Sequence, residues 1–163
     1  MANRQNELTS WDDLDCNIDL LRGIYAYGFE TPSTIQKKAI KPLLSGRDII
    51  AQAQSGTGKT GAFTIGTLGQ INLEENATQA IILSPTRELS KQIFNVLSDI
   101  SRMMKGIRLS LLVGGTVIDD DITELKKSPH IVVGCPGRIN DMIRRRKLQT
   151  KTIKVTVLDE ADE

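Results

Sequence analysis

Five short apolar runs, separated by longer stretches of helical period, leave this chain few folds to choose from. They lie at 48–52 (DIIAQ), 79–84 (QAIILS), 108–113 (RLSLLV), 130–134 (HIVVG) and 154–158 (KVTVL), each bounded by Gly, Pro or charge. Runs that are apolar on both faces are the pattern of strands in a parallel sheet covered by helices on each side. Between them, 86–104 carries Leu89, Ile93, Val96, Leu97, Ile100 and Met104 at helical spacing, with Lys91, Gln92, Asn95, Asp99 and Arg102 on the other face. A second helix opens at Thr31-Pro32, with Thr31 as N-cap and Pro32 at the first position, where no N–H is required. Gly46 ends it, and Pro42 inside predicts a kink or an early stop. Strand alternating with helix predicts a layered α/β fold, whose ligands sit beyond the carboxyl ends of the strands.

That rule directs attention to Ala53-Gln54-Ser55-Gly56-Thr57-Gly58-Lys59-Thr60, directly after the first apolar run. Glycines let successive backbone N–H groups converge on phosphate oxygens at the positive end of the following helix. Lys59 is placed to reach the β- and γ-phosphates, and the Thr60 hydroxyl to hold Mg²⁺. The strict pattern asks for Gly at the first position, where this chain has Ala53. At the far end, Asp159-Glu160-Ala161-Asp162 follows the 154–158 run, read as a buried strand. One acid there can bind the metal's water shell and a second can orient attacking water. A solvated lysine on a glycine turn and an acidic cap on a strand are the bland alternatives, and their pairing in one chain disfavours both.

Composition closes other routes. Twenty-one Lys and Arg against twenty Asp and Glu leave a charge of +1, which excludes a histone-like binder but not a local basic groove. Two cysteines, Cys16 and Cys135, and one histidine, His130, cannot build a disulfide framework or a zinc cluster. No apolar run approaches the roughly 20 residues that span a bilayer. The polar opening MANRQNELTS lacks a signal peptide's apolar core, so a reducing compartment, the cytoplasm or alternatively the nucleus, is expected.

Six motifs in order carry a resemblance: GFETPSTIQ at 28–36, AQSGTGKT, PTREL at 85–89, Gly114-Gly115, Cys135-Pro136-Gly137-Arg138, and Asp-Glu-Ala-Asp at 159–162. Together they resemble the first RecA-like domain of a DEAD-box RNA helicase. LLRGIYAYGFE, IAQAQSGTGKT and DMIRRR look most like the initiation factor four-A branch and its exon-junction relative. The resemblance implies a three-layer RecA-like P-loop domain over 28–163, C-terminally truncated, preceded by an extension and first helix over 1–27, with the second RecA-like domain absent. It implies ATP and Mg²⁺ as cofactors. Nucleotide contacts would come from Trp11, Phe29, Gln36, Ser55, Gly56, Thr57, Gly58, Lys59, Thr60 and Gly61, with Gln36 reading adenine through its amide and Trp11 standing where the family usually has Phe. Thr60 and Asp159 would hold the metal, and Lys59, Asp159 and Glu160 would carry the chemistry.

RNA, gripped through phosphates and sugars, would meet Pro85, Thr86, Arg87, Gly114, Gly115, Pro136, Gly137 and Arg138. Regulatory proteins of the initiation-factor or exon-junction type are the expected partners, with no membrane, on a monomer. Cys135 replaces the threonine of the family's TPGR motif and removes a hydroxyl that could cap the next helix or touch phosphate. The alternative function is a catalytically inactive nucleotide- or RNA-binding module. The run Arg144-Arg145-Arg146-Lys147 reads as a solvated helix end, Asp119-Asp120-Asp121 as a helix start, and His130 as a surface or packing residue.

Overall fold

Four of the five apolar runs pair into one parallel sheet: β1 (Ala80–Leu83), β2 (Leu109–Leu112), β3 (Ile131–Gly134) and β4 (Val155–Leu158), in the order β2-β3-β1-β4. The registers are unbroken, with Ala80 opposite both Ile131 and Val155, and Leu109 opposite Ile131. This is a computed structural model describing residues 7–162, so residues 1–6 of the N-terminal extension lie outside it. The chain divides into two compact units, one running through Gln70 together with Val96–Lys105, the other comprising Ile71–Asn95 and the chain from Gly106 onward.

The second unit holds the sheet. One face carries Ile81, Leu112 and Val132, packed against Leu125 of α5 (Ile118–Lys126), Ile139 and Met142 of α6 (Pro136–Arg144), and Leu148. Burying such side chains contributes about 1.5–3 kcal/mol each. The central strands behave as the continuous apolar runs predict: β3 is buried at every position. β4 departs from the expectation of a buried strand. Its positions alternate half-buried and exposed, and Leu158 is 61% exposed. The reason is positional, since β4 pairs with β1 and ends the sheet. His130, just before β3, is fully buried; its Nδ1 accepts the Arg108 N–H at 3.0 Å. Burial and the Arg108 charge hold its pKa below the ordinary value.

The first unit is helical. α1 (Ile18–Tyr27) is capped by Asn17, and α2 (Thr34–Leu44) packs on α3 (Lys59–Leu68). The N-cap of α2 is Ser33 and not Thr31. The Ser33 hydroxyl accepts the Gln36 N–H while the Gln36 side chain accepts the Ser33 N–H, a reciprocal pair that outcompetes Thr31-Pro32 as a start. The helix continues through Pro42 to Leu44. The fifth apolar run, 48–52, forms no strand: it has no regular secondary structure, and Ile50 is fully exposed. Apolar character makes a strand only where a neighbouring edge supplies hydrogen bonds, and none does so among the described residues.

Candidate nucleotide and nucleic-acid sites

The phosphate loop owes its shape to left-handed glycines. Gly56 and Gly58 have φ of +80° and +91°, and Gly58 is the N-cap of α3. Lys59 and Thr60 therefore occupy the first two helical positions, half-buried, while Ser55, Gly56 and Thr57 are exposed. The Thr57 hydroxyl donates to the Gln54 carbonyl at 2.6 Å and closes the turn from within. Backbone N–H groups at this helix start have no intrahelical acceptors, and the helix dipole favours an anion there.

Gln36 stands directly over this loop. Its Oε1 accepts the Ser33 N–H at 2.8 Å, and its Nε2 donates to the Gly58 carbonyl at 3.2 Å. The approach is close enough to exclude side chains below it. A Cβ at Gly58 would lie 2.7 Å from Gln36 Nε2, and one at Gly61 would lie 2.7 Å from the same atom and 3.0 Å from Phe29 Cζ. Gly61 is thus present for space and not for turn geometry. Phe29 is half-buried, with Tyr27 edge-on at 4.8 Å and Trp11 stacked at 6.0 Å. Trp11, expected among the nucleotide contacts, is fully buried against Phe29 and presents no ring face to a base.

In the second unit, segments following β1, β2 and β3 meet at the carboxyl end of the sheet. Pro85, Thr86 and Arg87 are exposed, and the Thr86 hydroxyl accepts the Leu89 N–H to cap α4 (Arg87–Ile100). The Arg87 guanidinium lies across the Gly114-Gly115 turn: a Cβ on Gly115 would meet Arg87 Nη1 at 2.4 Å, and Gly115 has φ of +86°. The glycine doublet makes room for an arginine. Arg138, from the first turn of α6, bonds Asp121 Oδ2 at 2.5 Å, the Thr116 hydroxyl at 3.2 Å and the Thr116 carbonyl at 3.1 Å. It is only 11% exposed, and Asp121 8%. Asp121 is therefore more than a helix-starting acid; its place one turn before buried Leu125 is the signal that could have marked it as inward-facing.

Cys135 is the N-cap of α6, with extended backbone and no side-chain cap bond; its Sγ lies 3.6 Å from Ser90 Oγ, which in turn bonds Ser84 Oγ at 2.7 Å. Pro136 and Gly137 are exposed beside it. Leu83, Pro85, Pro136, Asp159 and Glu160 line a shallow cleft of about 190 Å³. The Asp159 N–H donates to the Leu83 carbonyl, and Asp159 Oδ1 accepts the Glu160 N–H at 3.0 Å. Glu160 has φ of +53°, a left-handed backbone uncommon for a residue with a side chain. Among the described residues no three His, Cys, Asp or Glu side chains form a metal cluster, and no helix is long and apolar enough to cross a membrane.

The arrangement has known counterparts. Residues 33–163 match the family model described as DEAD/DEAH box helicase. The chain is 52% identical over 158 residues to "ATP-dependent RNA helicase fal1" of Schizosaccharomyces pombe, and 51% identical over 162 residues to "ATP-dependent RNA helicase eIF4A" of Candida albicans. These alignments cover 97% and 99% of this chain but 40% and 41% of the relatives, so the chain spans about two-fifths of their length. A DEAD box protein from Methanococcus jannaschii superposes with a TM-score of 0.89 at 38% identity, covering 96% of this chain and 42% of that one. Dbp5 of S. cerevisiae, in a structure with RNA and ADP BeF3, does so with a TM-score of 0.82 at 38% identity, covering 95% and 39%.

Proposed function

Because this chain belongs to the DEAD/DEAH box helicase family, we propose that it is the amino-terminal part of an ATP-dependent RNA helicase of the initiation-factor four-A type. The observation that carries the reading is the phosphate loop. Two left-handed glycines deliver Lys59 and Thr60 to the start of α3 beneath Gln36, a donor set suited to a nucleotide triphosphate with Mg²⁺. Lys59 would place point charge on the phosphates, and the Thr60 hydroxyl would be a magnesium ligand. The metal supplies charge neutralisation for the transferring phosphoryl group. Gln36, with Phe29 beside it, orients adenine. By the family resemblance, Asp159 would serve a metal's water shell and Glu160 would position water. RNA is held at the carboxyl-end face of the sheet by Pro85, Thr86, Arg87, Gly114, Gly115, Pro136 and Gly137, through its backbone and without sequence preference, while Arg138, expected among these contacts, is buried on Asp121 and braces the Thr116 turn from within.

Turnover by this chain alone is slow. An arginine acting on the transferring phosphoryl group contributes about 10³–10⁵ in rate. Of the arginines in the family motifs, Arg87 lies over the glycine turn and Arg138 is paired with Asp121. Titrating labelled ATP, GTP and CTP, with phosphate release followed in parallel, tests the reading. ATP-selective binding with little release supports it, and equal affinity for ATP and GTP contradicts the role of Gln36.

A further inference from the structure

A second cleft opens in the sheet-bearing unit at the opposite, amino ends of the strands. It has a volume of about 220 Å³, and its floor is apolar, formed by Ala77, Leu125 and Leu148. Thr78 precedes β1, Ser128 precedes β3 and Thr152 precedes β4, so the cleft lies at the other end of the strands from Pro85, Pro136 and Asp159. Its walls are fixed by internal bonds. The Thr152 hydroxyl donates to the Thr78 carbonyl at 2.7 Å, and Arg108 ties Asn76 Oδ1 at 2.7 Å to the Ser128 carbonyl at 3.1 Å. Gln149 Nε2 closes back on the Arg146 carbonyl at 3.2 Å.

The rim is positive. Lys147 lines the cleft, and Lys126 and Lys151 flank lining segments, with no ion pair to any of the three among the described residues. Arg144 and Arg146 extend the charge along the exposed end of α6. Three of the acids nearby are already committed, Glu75 to Lys154 at 2.9 Å, Glu124 to Lys127 at 2.6 Å and Asp141 to Arg145 at 3.0 Å, and exposed Glu74 lies outside the lining. No carboxylate lines the cleft.

We propose that this cleft and its cationic rim dock an acidic segment of a partner protein, one apolar side chain seated on the Ala77–Leu125–Leu148 floor and its carboxylates facing Lys147, Lys126 and Lys151. Charge complementarity sets the sign of the partner, and the apolar floor sets its chemistry. RNA fits less well, because no aromatic side chain lines the cleft to stack on a base and an apolar floor offers phosphate nothing. The surface reads net charge and one anchor, so it accepts an extended peptide and not a folded epitope.

The test uses a fluorescein-labelled peptide of Asp and Glu with one central Leu, titrated into the 163-residue chain by anisotropy. Saturable binding is expected, weakened about tenfold by Lys147→Glu with Lys151→Glu, two exposed positions. Ala77→Phe fills the cleft without changing charge and is expected to weaken binding comparably, as is Leu→Ser in the peptide. Circular dichroism checks that each variant remains folded, and the two routes to the same loss keep the test intact if one variant fails. No binding of the acidic peptide overturns the proposal. So does binding of labelled oligouridylate that the lysine reversals abolish while peptide binding is unchanged, since the patch would then be an RNA surface.

Discussion

Gln36 Nε2 donates to the Gly58 carbonyl at 3.2 Å while its Oε1 holds the Ser33 N–H, so one buried amide joins the start of α2 to the phosphate loop. A residue that reads adenine in the functional account is, in the fold, also a strut. Gln36→Ala removes both bonds and is expected to cost about 1–3 kcal/mol of stability. It should also lower ATP affinity and abolish the difference between ATP and GTP. Urea unfolding and nucleotide titration of the variant measure the two effects separately. Retained ATP preference would show that the base is read elsewhere.

Gly115→Ala tests the turn beneath Arg87. At φ of +86° a side chain strains the backbone by about 1 kcal/mol, and the new methyl displaces Arg87 Nη1, 2.4 Å from its position. RNA affinity is expected to fall severalfold with ATP affinity unchanged. Equal losses of both would contradict the assignment of this turn to RNA.

Asp121→Ala leaves the Arg138 guanidinium, 11% exposed, without its carboxylate. Breaking a pair this buried typically costs about 3–5 kcal/mol, because a charge is left uncompensated. The urea midpoint is the readout, and a shift worth less than about 1 kcal/mol would place this pair among exposed surface bridges.

How far the residues alone reveal this architecture depends on whether each feature is local. The glycine loop, the helix that follows it and the central strands follow from short-range pattern, and they stand where the sequence places them. What failed depended on partners. The 48–52 run has strand composition but no strand beside it, and β4 is half-exposed because it ends the sheet. Thr31-Pro32 looks like a helix start, yet the Ser33–Gln36 reciprocal pair wins, a signal present as Ser-x-x-Gln. Trp11 could be located as a residue of interest but not as a buried one, since burial is decided by distant packing.

Cys135 offers a gain instead of a loss. It caps α6 with suitable extended geometry but without a side-chain bond. Cys135→Thr supplies an oxygen to the free N–H groups of the first turn and is expected to stabilise the chain by about 1 kcal/mol. The hydroxyl stands beside exposed Pro136 and Gly137, so RNA affinity should rise with it. Thermal unfolding and RNA titration of the variant give the answer; an unchanged or lower Tm would rule out the missing cap.

Lys59 separates the two ligand sites most sharply. It sits at the first position of α3, behind the two left-handed glycines, in the first unit, whereas Arg87, Gly115 and Arg138 belong to the second. The direct measurement is Lys59→Ala, with labelled ATP and labelled single-stranded RNA titrated in parallel into variant and parent. ATP affinity is expected to fall by at least about tenfold, the loss of a charge-assisted phosphate contact, while RNA affinity stays within about twofold. Unchanged ATP affinity, or a parallel loss of both ligands with the fold intact by circular dichroism, would contradict that expectation.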